Sequence, residues 1–240
     1  MLWYKGWLET RFRLLFVFGF YVVSLLAMSL VKPPQSSPFA KLAPQEQLRT
    51  FLGFGFAIYP VAMASLTLAA AGITTQSSFQ QTKGLSGSTL FTLSLPVSRL
   101  RLLAIRAALG WLETAVFIGA LCLLMPMALP HVRAAVKPEE IAAYAVTLIV
   151  CSTGIYAIPV LLATFLDDLG RMFGSVPVLA ALWWLVRHTQ LPASMDLFRA
   201  MGEASPLVAH TMPWMAMAFS LGLAAVLFFA AMKIVQRREY

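Results

Sequence analysis

The sequence predicts an all-α integral membrane protein: six transmembrane helices, an N-terminal interfacial helix and a polar segment between spans two and three. Three observations predict it. Charge is absent from 14–31, 50–82, 114–132, 141–166, 172–186 and 204–232, although the polar ends of some of these runs are not membrane. Hydrophobic residues make up 60% of the 240 and charged residues only 12%, about half the charged share of a soluble domain. Lipid offers the backbone no hydrogen bonds, so apolar runs of roughly 20 residues, rising about 1.5 Å each, must close their bonds within a helix.

Residues 1–13 read as an interfacial helix running into the first span. Trp3 and Trp7 share a face, and Glu9 precedes Arg13 by four, the favoured order for a helical ion pair. Ala27-Met28-Ser29 loosely resembles a cleavage site, but the apolar run of 18 exceeds a signal peptide's and the preceding residues carry Glu9 and two tryptophans, so the first span is expected to be retained. Span one covers about 14–31 and stops at Lys32-Pro33-Pro34, and span two covers about 51–73 with a kink at Pro60. Residues 74–100 turn polar without becoming strongly charged. Span three covers about 103–128, span four about 141–165 with Pro159, span five about 170–187 with Pro177, and span six about 213–232. Residues 131–140 and 188–212 are read as loops, and 166–171 as a tight turn. No connection is long enough for a second domain, so 1–240 is one transmembrane domain.

Orientation follows from basic residues. Eleven Lys and Arg fall on the side of the N-terminus, the connection from Lys83 through Arg99 and Arg101 to Arg106, the 166–171 turn and the tail, against seven on the other. Both termini are assigned to the cytoplasm, and the net charge of +8 is that of a multi-pass inner-membrane protein. No basic patch is interleaved with groove-reading polar residues, which excludes nucleic acid.

The chemistry-bearing signatures are missing. There is no GxxxxGK[ST], HExxH or GxSxG; His131, His188 and His210 are scattered in loops. Asp167 and Asp168 diverge on one turn and read as a solvated helix end. Cys122 and Cys151 lie within spans without CxxC spacing and read as small buried apolar residues. No catalytic residue, metal ligand or cofactor site is predicted. Glu113 is the acidic residue well inside a span, with Arg106 two turns earlier on nearly the same face, and pairing with Arg106 or with a neighbouring helix is expected.

The most specific phrase is Leu90-Phe91-Thr92-Leu93-Ser94-Leu95-Pro96-Val97-Ser98-Arg99, followed by Arg106. Thr89–Leu95 is too short to span, Pro96 interrupts it, and Arg99 and Arg101 mark the headgroup boundary before span three. LeuProValSerArg at this place, with a basic residue seven positions on, resembles the permease subunits of ABC-2 type transporters. The layout is similar too: an aromatic amphipathic N-terminal helix, six spans and a longer outer loop before the last. One departure is that such permeases often carry an acidic residue just before the phrase, whereas Gln76–Gly87 has Gln80, Gln81 and Lys83 and no carboxylate.

The resemblance implies an exporter permease that dimerises with a second copy or a homologous chain and docks a separate cytoplasmic P-loop ATPase, which would bind the ATP and magnesium. It assigns Phe79, Gln80, Lys83, Leu90 and Phe91 to a cytoplasmic coupling segment fixed at the membrane surface by Pro96 and Arg99. Other classes stay open: an ion-coupled secondary transporter or channel-like protein using Glu113, or a non-catalytic membrane subunit of another complex.

Overall fold

A backbone with only itself to bond to makes helices, and a computed structural model, described for residues 2–30, 42–53, 55, 58–69, 98–166, 168–189 and 192–237, is helical throughout with no strand among those residues. α1 (Leu2–Leu30) carries the interfacial segment and the first span as one unbroken 29-residue helix. Its inward stripe is Gly6, Thr10, Val17, Tyr21 and Leu25, while Trp3, Trp7, Phe12, Phe16 and Phe20 face outward.

The second predicted span is divided. α2 (Pro44–Gly53) buries Leu48, Phe51 and Leu52 and exposes the rest of its surface, and α3 (Ile58–Leu68) follows. The break falls at Gly55, whose φ of 77° is open chiefly to glycine. Its N–H donates to the Leu52 carbonyl at 3.0 Å and its carbonyl accepts from Tyr59 N–H at 3.0 Å. Pro60, read from sequence as the kink, instead sits in the first turn of α3, where a missing N–H leaves no helical bond unmade.

α4 (Arg99–Ala128) is the longest helix among the described residues and starts where the Ser98 hydroxyl accepts from Arg101 N–H at 3.3 Å. The short α5 (Pro130–Ala135) leads to α6 (Pro138–Leu162). Pro138 occupies the first turn of α6, and the Glu140 carboxylate reaches back to accept from Lys137 N–H at 2.9 Å. α7 (Asp168–His188) packs one stripe, Arg171, Ser175, Leu179, Leu182 and Val186, and exposes Phe173, Trp183 and Trp184. A 3₁₀ turn (Ala193–Met195), α8 (Leu197–Met201) and α9 (Pro206–Ala209) precede α10 (Trp214–Arg237).

Among the described residues, five candidate spans are long and apolar enough to cross a membrane: Thr10–Ala27, Pro44–Leu68 (α2 and α3 taken together), Leu100–Ala128, Pro138–Leu162 and Trp214–Arg237. That is the build of a membrane protein. α7, the predicted fifth span, is not among them; its charge-free stretch is only 172–186.

α6 is the central helix, 61% buried over its apolar stretch against 22% for α1 and 28% for α10. It meets α10 through small side chains. Ser220 Oγ accepts from Gly154 N–H at 3.0 Å and lies 2.8 Å from the Cys151 carbonyl, to which it donates. A Cβ on Gly154 would come within 2.7 Å of that oxygen, so glycine sets the helix separation. Tyr156 donates to the Ala107 carbonyl at 2.8 Å and Trp111 Nε1 to Thr153 Oγ1 at 3.1 Å, joining α6 to α4. α3 approaches the same point, where a Cβ on Gly110 would overlap the Leu68 carbonyl oxygen.

These pairs fix helix directions. Gly6 faces Leu109 and Thr10 faces Glu113, so α1 and α4 run parallel. Ala107 with Tyr156 and Trp111 with Thr153 make α4 and α6 antiparallel. Thr147 with Met212 and Gly154 with Ser220 bring α10 down beside α6 in the same direction.

The stretches read as loops are folded at one end of the bundle. α2 packs on α5 and α9, and α8 and α9 pack on α6. Tyr144 donates to the Met201 carbonyl at 2.9 Å, and His210 Nδ1 lies 2.8 Å from Glu140 Oε1. Asp196 caps α8, accepting from Phe198 N–H at 2.9 Å and Arg199 N–H at 3.0 Å. Leu48, Val132, Leu197, Met201 and Leu207 bury together there, which is why 192–212 is a packed layer and not a solvated loop.

Candidate functional site

The residues singled out by sequence divide in two. Phe79, Gln80, Lys83, Leu90, Phe91 and Pro96 lie outside the described residues, as does Asp167. Arg99 opens α4, one residue after the Ser98 cap, so the specific phrase ends where this helix begins. The side chains of Arg99 and Glu9 are outside the described set.

Arg106 and Glu113 are both buried in α4, at 5% and 4% exposure. Seven residues place them nearly two whole turns apart on one face, as the spacing predicts. Glu113 is held by the neighbouring helix and not by Arg106. Thr10 of α1, itself 3% exposed, donates its hydroxyl hydrogen to Glu113 Oε1. The Thr10 oxygen also lies 3.1 Å from the Gly6 carbonyl, the usual back-bonding position of a helical threonine. Glu113 Oε2 is sealed from solvent and has no hydrogen-bond partner among the described residues. Two turns along α4 is too far for a close pair, whereas Gly6 lets α1 come near enough for a short hydroxyl to reach.

Gly6 makes that approach possible: a Cβ there would stand 2.7 Å from Leu109 Cδ2. The stripe Gly6-Thr10 is thus a small-polar contact surface of the kind membrane helices use to associate. Sequence reading passed over Thr10, since a lone threonine in an aromatic helix carries no motif.

A cavity of about 440 Å³ opens beside this contact, between α1, α3 and α4, lined by Val17, Tyr21, Ser24, Tyr59, Met63 and Phe117. Tyr21 and Phe117 form its inner wall with rings edge to face at 5.7 Å. Cys122 and Cys151 are free thiols buried in the core, as their positions in spans predict. No three His, Cys, Asp or Glu side chains converge among the described residues. Comparison with family models, with curated proteins and with solved structures found no match to this chain.

Proposed function

We propose that this chain is the membrane-spanning permease subunit of an ATP-driven ABC-2 type transporter, an exporter that works as a dimer with a separate cytoplasmic P-loop ATPase. The observation that carries the reading is LeuProValSerArg at 95–99 with Arg106 seven positions on. It is supported by where that phrase ends, at the capped start of α4.

The helix directions support six crossings. α1 and α4 run parallel, which requires a return between them through the α3 region. α6 and α10 also run parallel, so the chain must travel back from the end of α6 to the start of α10. α7 is the helix available for that return: its 21 residues span about 30 Å, the thickness of the hydrocarbon core. With eleven Lys and Arg on the α4-start side against seven, both termini are placed in the cytoplasm of an inner-membrane protein.

In this mechanism no residue of the chain does covalent chemistry. Closure of the ATPases on ATP pushes the 74–98 segment, whose Phe79, Gln80, Lys83, Leu90 and Phe91 form the coupling surface. The push enters α4 at Arg99. Because Thr10 and Glu113 bond α1 to α4, the two helices move together, and the dimer interface alternates between inward and outward openings. Purified alone, the protein hydrolyses no ATP. With its ATPase it forms a complex that Phe79→Asp or Phe91→Asp abolishes while membrane insertion is kept, since buried aromatic anchors dominate such interfaces. Normal ATPase binding by both variants refutes the coupling surface, and failure of the wild type to co-purify any P-loop ATPase refutes the family reading.

A further inference from the structure

On the other side of α4 from the Thr10–Glu113 contact, a second cavity of about 360 Å³ lies between α4, α6 and α10. Its wall on α4 is Leu100, Leu103, Ala104, Ala107, Ala108 and Trp111. Three alanines within five positions leave the room, and Ala104 and Ala108 are exposed, so the cavity opens sideways into the bilayer. Its polar atoms are spent on each other: Trp111 Nε1 donates to Thr153 Oγ1 at 3.1 Å and closes the deep end. What remains is an apolar slot.

Two features say what fills it. The first is length. From Leu100 to Trp111 the slot follows α4 for about 16 Å, close to the roughly 15 Å of hydrocarbon in one leaflet. The second is charge at the mouth. Arg101 is exposed one turn before Ala104 on the same edge of α4. α10 supplies Phe228 and Met232 to the slot, and the exposed Lys233 follows Met232 directly. Lys233 Nζ sits 5.5 Å above the Phe229 ring, one turn back along α10. Basic residues where two membrane helices part are a recognised seat for anionic headgroups.

We propose that this slot binds one acyl chain of an anionic phospholipid from the leaflet at the Arg99–Arg101 end, with its phosphate held by Arg101 and Lys233. The site depends only on the chain lying in a bilayer and stands whether or not the chain is a permease. The test is native mass spectrometry of the full chain, extracted from nanodiscs containing phosphatidylglycerol and phosphatidylcholine of matched chain length. Wild type is expected to retain phosphatidylglycerol over phosphatidylcholine by about fivefold or more. Ala104→Phe and Ala108→Phe fill the slot and lose the lipid. Val116→Phe, on an exposed part of α4 outside the slot, keeps it. Arg101→Gln keeps a lipid but loses the headgroup preference. The proposal is overturned if Ala108→Phe retains phosphatidylglycerol as well as Val116→Phe does, or if wild type shows no preference. It is overturned too if Ala108→Phe separates a dimer without changing lipid retention, which assigns the slot to a second copy.

Discussion

Thr10 of α1 gives its hydroxyl hydrogen to Oε1 of Glu113 in α4, across 103 positions of sequence and in a place where both side chains are nearly sealed. The second oxygen of that carboxyl is buried without a hydrogen-bond partner among the described residues. The pair therefore carries an asymmetry that mutation can read, because removing one partner of a buried polar contact costs more than removing both.

Thr10→Val takes away the donor and leaves two buried carboxyl oxygens unanswered. It is expected to destabilise the folded protein by about 1–3 kcal/mol, measured by thermal unfolding in detergent. Thr10→Val with Glu113→Leu together should recover much of the loss, and Glu113→Gln should stay within about 1 kcal/mol of wild type, since an amide still accepts from Thr10. Retained transport in Glu113→Gln goes with a structural role. Loss of transport at unchanged expression and assembly favours the ion-coupled alternative, in which Glu113 lies on the pathway.

Gly110 and Gly119 occupy the same helix and answer differently. A Cβ on Gly110 runs into the Leu68 carbonyl oxygen and lies 2.6 Å from the Tyr156 hydroxyl, whereas one on Gly119 meets nothing within 4 Å. Gly110→Ala should lower stability by roughly 1–3 kcal/mol as α3 is pushed from α4. Gly119→Ala should be neutral or stabilising by up to about 1 kcal/mol through helix propensity. Equal melting temperatures for the two variants would refute the close approach of α3.

The six-crossing arrangement predicts which surfaces meet water on each side. In a background lacking Cys122 and Cys151, single cysteines at Ser36 and Ser194 should react with a membrane-impermeant maleimide added outside, and one at Ser86 should not. Ser194 is exposed in the 3₁₀ turn that precedes α8. Outside labelling at Ser86 would reverse the orientation.

Long charge-free runs made α4, α6 and α10 readable from sequence, because a span needs only length and apolarity. Short elements did not announce themselves. α5, α8 and α9 have at most six residues each, too few for a helical period to stand out, so 131–140 and 188–212 read as loops. Proline as a helix breaker points to Pro60, while the chain turns at Gly55, which takes a positive φ and bonds to Leu52 and Tyr59. At the candidate site, Glu113 stood out as an acid in an apolar stretch. Its partner did not, since nothing local marks Thr10 as lying opposite a residue encoded 103 positions later.

The ordered layer at one end of the bundle has a bearing on how the chain is made. α2 rests on residues 130–135 and 206–209. A ribosome adding about 5–20 residues per second finishes the first support roughly 4 to 16 seconds, and the second roughly 8 to 31 seconds, after α2 has been made. Until residues 130–135 are made, Leu48, Phe51 and Leu52 have neither of these supports to cover them. An amphipathic ten-residue helix can wait in the headgroup region with its apolar face in lipid. The bilayer is then a holding surface for α2 during synthesis, and closure of this end is among the last events of assembly.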